Sequence, residues 1–312
     1  MGERLDSLML RTLRTADRLW APSRAAVATA ALPAPAGAGL REGVVVGGRY
    51  RIDAKLGEGA FGRVWRVADA TSGRSFALKE LLPSGVDDEG AGGLAAEFVT
   101  LSRLKHPYIV GVHDYGDLPG GARYLVMELG SGEDVFEKVK RGPLPRDEVM
   151  RILLGLAQGL HLLHARLFVH CDIKAENVRV TTKGDPKLMD FGLLHQLGTP
   201  ATAVQGTVAY MAPEMIAGGV IDGRTDLYSF GVLAYEMFTG TLPFEGQSAL
   251  DVMQQHLHQT PREPSYFLDL PRDIDALVLG LLAKDARARP ASAADVAAAI
   301  AKLAGTTLGP LP

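Results

Sequence analysis

"GEGAFGRVW", residues 57–65, decides how the first third of this 312-residue chain is built. Three glycines at G-x-G-x-x-G spacing fit two different structures. In a dinucleotide-binding turn a helix opens directly after the last glycine. Here Arg63-Val64-Trp65-Arg66-Val67 follows, and β-branched and aromatic residues favour a strand. Gly57, Gly59 and Gly62 therefore cap a β-hairpin. Without side chains they let backbone N–H groups approach a ligand closely, and phosphate is the obvious one. An ordinary flexible hairpin fits the same residues.

The strand pattern extends in both directions. "RYRIDAKL" (49–56) leads into the glycines, and "RVWRVAD", the turn "ATSGR" and "SFALKEL" (75–81) follow. Ala77 and Lys79 share a strand face. A small residue beside a flat ring, with a cation nearer the phosphates, suits a nucleotide; a solvated lysine is the plain alternative. A buried cation needs a partner. Glu97 is available, on a helix expected over about 93–105 whose Leu94, Phe98, Leu101 and Leu104 share a face. "YLVMEL" (124–129) reads as a strand. After Gly142 the pattern turns helical, with helices at 146–167, 226–240 and about 247–258, 272–283 and 292–303. Residues 226–240 are apolar on nearly every side, the mark of a helix buried all round. The expected fold is α+β: a small β-rich lobe, a larger α-helical lobe and a cleft between them.

Composition narrows the function classes. The apolar fraction of 47% supports a sizeable core, and a net charge of −3 supplies no global basic field for nucleic acid. One cysteine excludes an intramolecular disulfide framework and fits a reducing compartment. No run of ~18 uncharged apolar residues suggests a membrane span. Arg11, Arg14, Asp17 and Arg18 interrupt any signal-peptide core. The expectation is a soluble, cytoplasmic protein. Residues 1–20 read as an amphipathic helix, with Leu5, Leu8, Met9, Leu13, Ala16, Leu19 and Trp20 on one stripe and Arg4, Arg11, Arg14 and Arg18 on another. Such a helix folds back on its own domain, docks a partner or lies on an anionic membrane. Residues 21–48, rich in Ala, Pro and Gly, read as a linker, and 304–312 as a short tail.

"HCDIKAEN" (170–177) holds the single cysteine between a histidine and an aspartate. It resembles the H-R-D-x-x-x-x-N catalytic loop of protein kinases, with Cys171 in place of arginine. "DFG" at 190–192, "APE" at 212–214 and "FALK" at 76–79 stand in the family's order. The chain is thereby identified as similar to bacterial serine/threonine protein kinases over residues 49–303, with an N-lobe at 49–129 and a C-lobe at 130–303. The resemblance implies ATP with Mg²⁺ or Mn²⁺ as cofactors and a protein substrate. It assigns Lys79, held by Glu97, to the α/β-phosphates, and Asp190 and Asn177 to Mg²⁺. It makes Asp172 the acceptor of the substrate hydroxyl's proton and Lys174 the support of the γ-phosphate, with Thr207 as its companion. Val64 and Ala77 would cover the adenine, Met127 would be the gatekeeper, and backbone groups of Glu128 and Leu129 would meet the ring. It also implies a stack of Leu101, Val112, His170 and Phe191, an Asp226 that holds the catalytic-loop backbone, and a Glu214–Arg289 pair. The plain alternative for Asp172, Asn177 and Asp190 is turn formation.

The departure is at Cys171. In the family the loop arginine answers a phosphate on the activation segment; a cysteine cannot. The segment 193–211 offers only Thr199, Thr202, Thr207 and Tyr210 as hydroxyls. Activity independent of phosphorylation there is the expectation. The thiol lies beside an acid, which opposes a reactive thiolate. His161, His164, His256 and His258 come without a nearby ligand set and read as helix-surface or core residues. A pseudokinase scaffold and a kinase-fold enzyme acting on small molecules are the alternatives. The presence of Lys79, Asp172, Asn177 and Asp190 speaks against the first, and "APE", Thr207 and the C-terminal helices against the second.

Overall fold

The computed structural model describes residues 40–59, 62–81, 102, 104–191, 193–201 and 206–309. The expected 1–20 helix, most of the 21–48 linker, the body of the 93–105 helix, Glu97, Leu101 and Thr202 lie outside the described residues. The chain divides into two units between Gly130 and Ser131.

The first unit is an antiparallel sheet. Its strands are β1 (Val45–Val46), β2 (Tyr50–Gly59), β3 (Gly62–Asp69), β4 (Ser75–Leu81), β5 (Val112–Asp117) and β6 (Arg123–Glu128), in the order β1-β2-β3-β4-β6-β5. Gly59 stands opposite Gly62, so the glycines close a hairpin as their flanking residues require. Alternation sorts the side chains. Trp65, Val67, Phe76, Leu78, Tyr124 and Val126 form one core with Val46, Tyr50 and Ile52. Strand pairing reaches back ahead of Arg49, into the end of the stretch read as a linker. Val45 and Val46 pair with Arg51 and Tyr50, and the Gly43 N–H and Val44 carbonyl both bond Ile52. The β-branched run at 44–46 leaves the Ala/Pro/Gly stretch early enough to add an edge strand and bury Val46.

The second unit is helical. It contains α1 (Val135–Val139), α2 (Arg146–Ala165), α3 (Pro213–Ile216), α4 (Gly223–Thr239), α5 (Ala249–His258), α6 (Arg272–Leu281) and α7 (Ala293–Leu303). In α4 every residue from Thr225 to Thr239 is buried, as its all-round apolar pattern predicts. The helix starts sharply: the Asp222 carboxylate accepts from the Arg224 N–H, and the Thr225 hydroxyl accepts from the Asp222 N–H. It stops at Gly240, which adopts φ +73°. Long α2 packs along α7. Short strands frame the loops: β7 (Glu133–Asp134), β9 (Val178–Val180) and β10 (Pro186–Leu188) form one ribbon, and β8 (Phe168–Val169) pairs with β11 (His195–Gln196).

Candidate active site

In the first unit, strand register gathers the nucleotide-type residues. Val64 stands opposite Lys79 and Ala77 opposite Met127, so with the i, i+2 relation of Ala77 and Lys79 all four share the face opposite the core. Ala77, Lys79 and Met127 are buried. Gly57 has open space where a Cβ would stand. Gly62 has a different reason to be glycine. Its φ is +135°, and a Cβ there would lie 1.8 Å from the Glu80 carbonyl oxygen. The sheet itself, not only a ligand, demands it. At Glu128 the expectation is trimmed: its N–H donates to the Gly111 carbonyl at 2.8 Å. Any adenine contact at that residue must therefore use the carbonyl.

In the second unit the loop at 170–177 is fixed from below. The buried Asp226 carboxylate accepts from the N–H groups of His170 and Cys171, both at 2.8 Å, and from His164 Nε2 at 2.8 Å. These two backbone bonds confirm the role expected of Asp226. They also hold Cys171 at φ +63°, a left-handed conformation costly for a residue with a Cβ. His170 donates from Nε2 to the Met189 carbonyl at 3.1 Å, accepts the Asp172 N–H at Nδ1, and stacks edge-on against Phe191 at 5.5 Å.

Above this floor the polar residues converge. Asn177 Nδ2 donates to the Asp172 carbonyl and to Asp172 Oδ2, each at 2.8 Å. Lys174 Nζ lies 2.8 Å from Asp172 Oδ2 and 2.8 Å from Thr207 Oγ1, and the Thr207 hydroxyl points to Asp172 Oδ1 at 3.4 Å. Asn177 spends its amide nitrogen inside this cluster, which directs its one amide oxygen elsewhere. Asn177 enters β9 and Asp190 follows β10. The Val178–Leu188 pairing and the Met189 N–H bond to the Asn177 carbonyl bring the two residues to the same end of that hairpin. Asp190 itself has φ +57°.

Cys171 is buried in the apolar core. Burial first, then the charges of Asp226, Asp172 and Glu214, push its thiol far above the ordinary range. It is not an exposed nucleophile. Arg289 is fully enclosed. It makes a bidentate pair with Glu214 at 2.7 and 2.8 Å and donates to the carbonyls of Arg224, Ala283 and Lys284.

The protein kinase domain family matches residues 50–300. The chain belongs to this family. The kinase domain is 35% identical over 282 residues to serine/threonine-protein kinase PknA of Mycobacterium tuberculosis, a match spanning 87% of this chain and 65% of PknA. It is 34% identical over 285 residues to serine/threonine-protein kinase pkn2 of Myxococcus xanthus, spanning 83% of this chain and 33% of that protein. Among solved structures, a double mutant of the Mycobacterium tuberculosis PknI kinase domain superposes with a TM-score of 0.71 at 29% identity, covering 86% of this chain and all of that one. The chain thus spans just under two thirds of PknA and a third of pkn2.

Some site residues were not legible beforehand. The His164 bond to Asp226 and the buried bond from the Tyr210 hydroxyl to the Glu236 carboxylate join residues 62 and 26 positions apart. Neither partner carries a local signal. His256, read only as a core or surface histidine, is bonded on both ring nitrogens.

Proposed function

We propose that this kinase domain transfers the γ-phosphate of ATP to serine or threonine hydroxyls of proteins. The observation that carries the reading is the Asp172–Asn177–Lys174–Thr207 cluster. One carboxylate is held by an amide, a cation and a hydroxyl, with Asp190 at the end of the adjoining hairpin. Phosphoryl transfer asks for positioning and positive charge more than for covalent chemistry. Asp172 orients the acceptor hydroxyl and takes its proton. Lys174 turns from Asp172 toward phosphate oxygens. Lys79 contacts the α/β-phosphates, paired with Glu97, and Val64, Ala77 and Met127 pack the adenine on the sheet face they share.

The donor set fits a hard divalent cation, since Asp190 offers carboxylate oxygens and Asn177, its nitrogen bonded to Asp172, offers its amide oxygen. Bound there, Mg²⁺ supplies charge neutralisation. Thr207, bonded between the cation and the base, supports the serine/threonine assignment. The single buried thiol supports a cytoplasmic setting.

The reading extends to regulation: activity does not depend on activation-segment phosphorylation. Cys171 is enclosed in the core, and the Thr199 hydroxyl is occupied by the Gln196 carbonyl at 2.7 Å. Radiolabelled ATP with the purified protein and a generic protein acceptor tests both parts. Transfer that is abolished by Asp172→Asn and survives Thr199→Ala with Thr202→Ala is expected. No transfer to any protein would favour a scaffold, and a large loss in the double threonine variant would return control to the segment.

A further inference from the structure

A polar chain in the second unit is left unused by this assignment. Lys284 Nζ lies 3.3 Å from the Tyr228 hydroxyl, 3.3 Å from the Gln255 carbonyl and 4.3 Å from the Phe244 ring centre. Tyr228 Oη is 2.9 Å from His256 Nδ1, and His256 Nε2 is 3.1 Å from the Ala209 carbonyl. The chain has one polarity. A carbonyl only accepts, so Nε2 carries the proton and Nδ1 accepts. Tyr228 must then donate to Nδ1, which leaves its oxygen to accept from Lys284. His256 stays neutral, as this polarity requires: burial first, then the Lys284 charge, push its pKa down to about 3. The far end is the functional end. Ala209 lies two residues beyond Thr207, in the short 3₁₀ turn Val208–Tyr210. Gly206, Thr207, Tyr210 and Met211 pack around Asp172 and Ile173, and the Thr207 hydroxyl itself points to Asp172. An acceptor segment whose hydroxyl reaches Asp172 therefore passes beside the Thr207 end of this segment.

We propose that Lys284, Tyr228 and His256 form a positioning relay that fixes the 206–211 segment, so that the half-buried lysine end tunes affinity for the protein acceptor and not for ATP. The acceptor part of this inference rests on the kinase reading; the fixing of the segment does not. Tyr228 and His256 come from the consecutive helices α4 and α5, and Lys284 follows α6. Ser229 and Glu236 of α4 hold the neighbouring Tyr210, so the relay adds the bond at Ala209 to an anchor one residue away.

The test compares His256→Leu, His256→Gln, Tyr228→Phe and Lys284→Met. Glutamine returns an N–H near the Nε2 position and so keeps the Ala209 bond. In His256→Leu and Tyr228→Phe, KM for an acceptor peptide is expected to rise about five- to tenfold, the equivalent of one buried hydrogen bond. KM for ATP stays at the parental value, and His256→Gln stays near parental on both. Hydrogen exchange at the amides of 207–211 quickens in His256→Leu and not in His256→Gln. Equal rises in both KM values, or unchanged exchange over 207–211 in His256→Leu, would overturn the relay. If His256→Leu fails to fold, Lys284→Met carries the same comparison from the half-buried end. If the parent phosphorylates no peptide, the kinase reading fails, and exchange alone still decides the relay.

Discussion

Asp226→Asn probes the floor of the catalytic loop with a side chain of the same shape. The wild-type carboxylate receives three donors: Cys171 N–H on Oδ1, and His170 N–H with His164 Nε2 on Oδ2. Asparagine has one acceptor oxygen. Its better orientation leaves that oxygen with His170 and His164 and turns the amide NH₂ toward Cys171. One buried N–H then faces a donor, an unsatisfied group that costs ~1–3 kcal/mol. For a domain of this size that lowers Tm by roughly 2–10 °C. The cost is not confined to stability. The Asp226 bond helps hold Cys171 at φ +63°, next to Asp172. Once released, the loop can relax toward negative φ and carry Asp172 with it, and a displacement of ~1 Å can cost on the order of 100-fold in rate. Differential scanning calorimetry and steady-state peptide phosphorylation on the same preparation read both effects. The sheet face proposed here to hold the nucleotide is untouched, so KM for ATP is expected to hold while kcat falls. A variant with parental Tm and parental kcat would refute the reasoning.

Three further outcomes follow. Arg289→Ala removes five donors from a fully enclosed site and strands Glu214, so urea denaturation should show a loss of ~3–5 kcal/mol. Gly62→Ala drives a methyl group into the Glu80 carbonyl at a backbone angle alanine resists; ATP affinity by calorimetry should fall while second-unit hydrogen exchange is unchanged. The folded-state pKa of His256 is depressed to about 3, below the unfolded value of ~6.5. Its contribution to stability is therefore full above pH 6.5 and is lost as pH falls toward 3, at a slope of up to about 1.4 kcal/mol per pH unit. His256→Gln should flatten the acid side of the stability profile by about one proton, as measured by denaturation at several pH values.

How much was legible in the sequence depends on the range of the signal. Strands β2, β3, β4 and β6 and helices α2 and α4–α7 declared themselves through period-2 or period-3.6 patterns, which are local. The Val45–Val46 edge strand did not, because two residues carry no period and only pairing with Tyr50 and Arg51 makes them a strand. The Glu214–Arg289 pair and the Asp226 floor came from family resemblance; 75 and 55 residues separate the partners, too far for spacing to reveal. The loss of the Glu128 N–H to Gly111 depends on strand pairing across the β5–β6 hairpin, and the composition of "YLVMEL" contains no trace of it. Glu97 stands as a proposal, outside the described residues.

The crowding around Asp172 has a consequence for economy of ATP. Three side-chain donors already address its two oxygens: Asn177 and Lys174 on Oδ2, and Thr207 on Oδ1. On the kinase reading, a hydroxyl or water that approaches Asp172 Oδ2 meets Asn177 and Lys174 there first, and Lys174 is drawn off by a competing anion such as phosphate. The resting arrangement thus couples access to that oxygen to the movement that engages phosphate, which guards against idle hydrolysis.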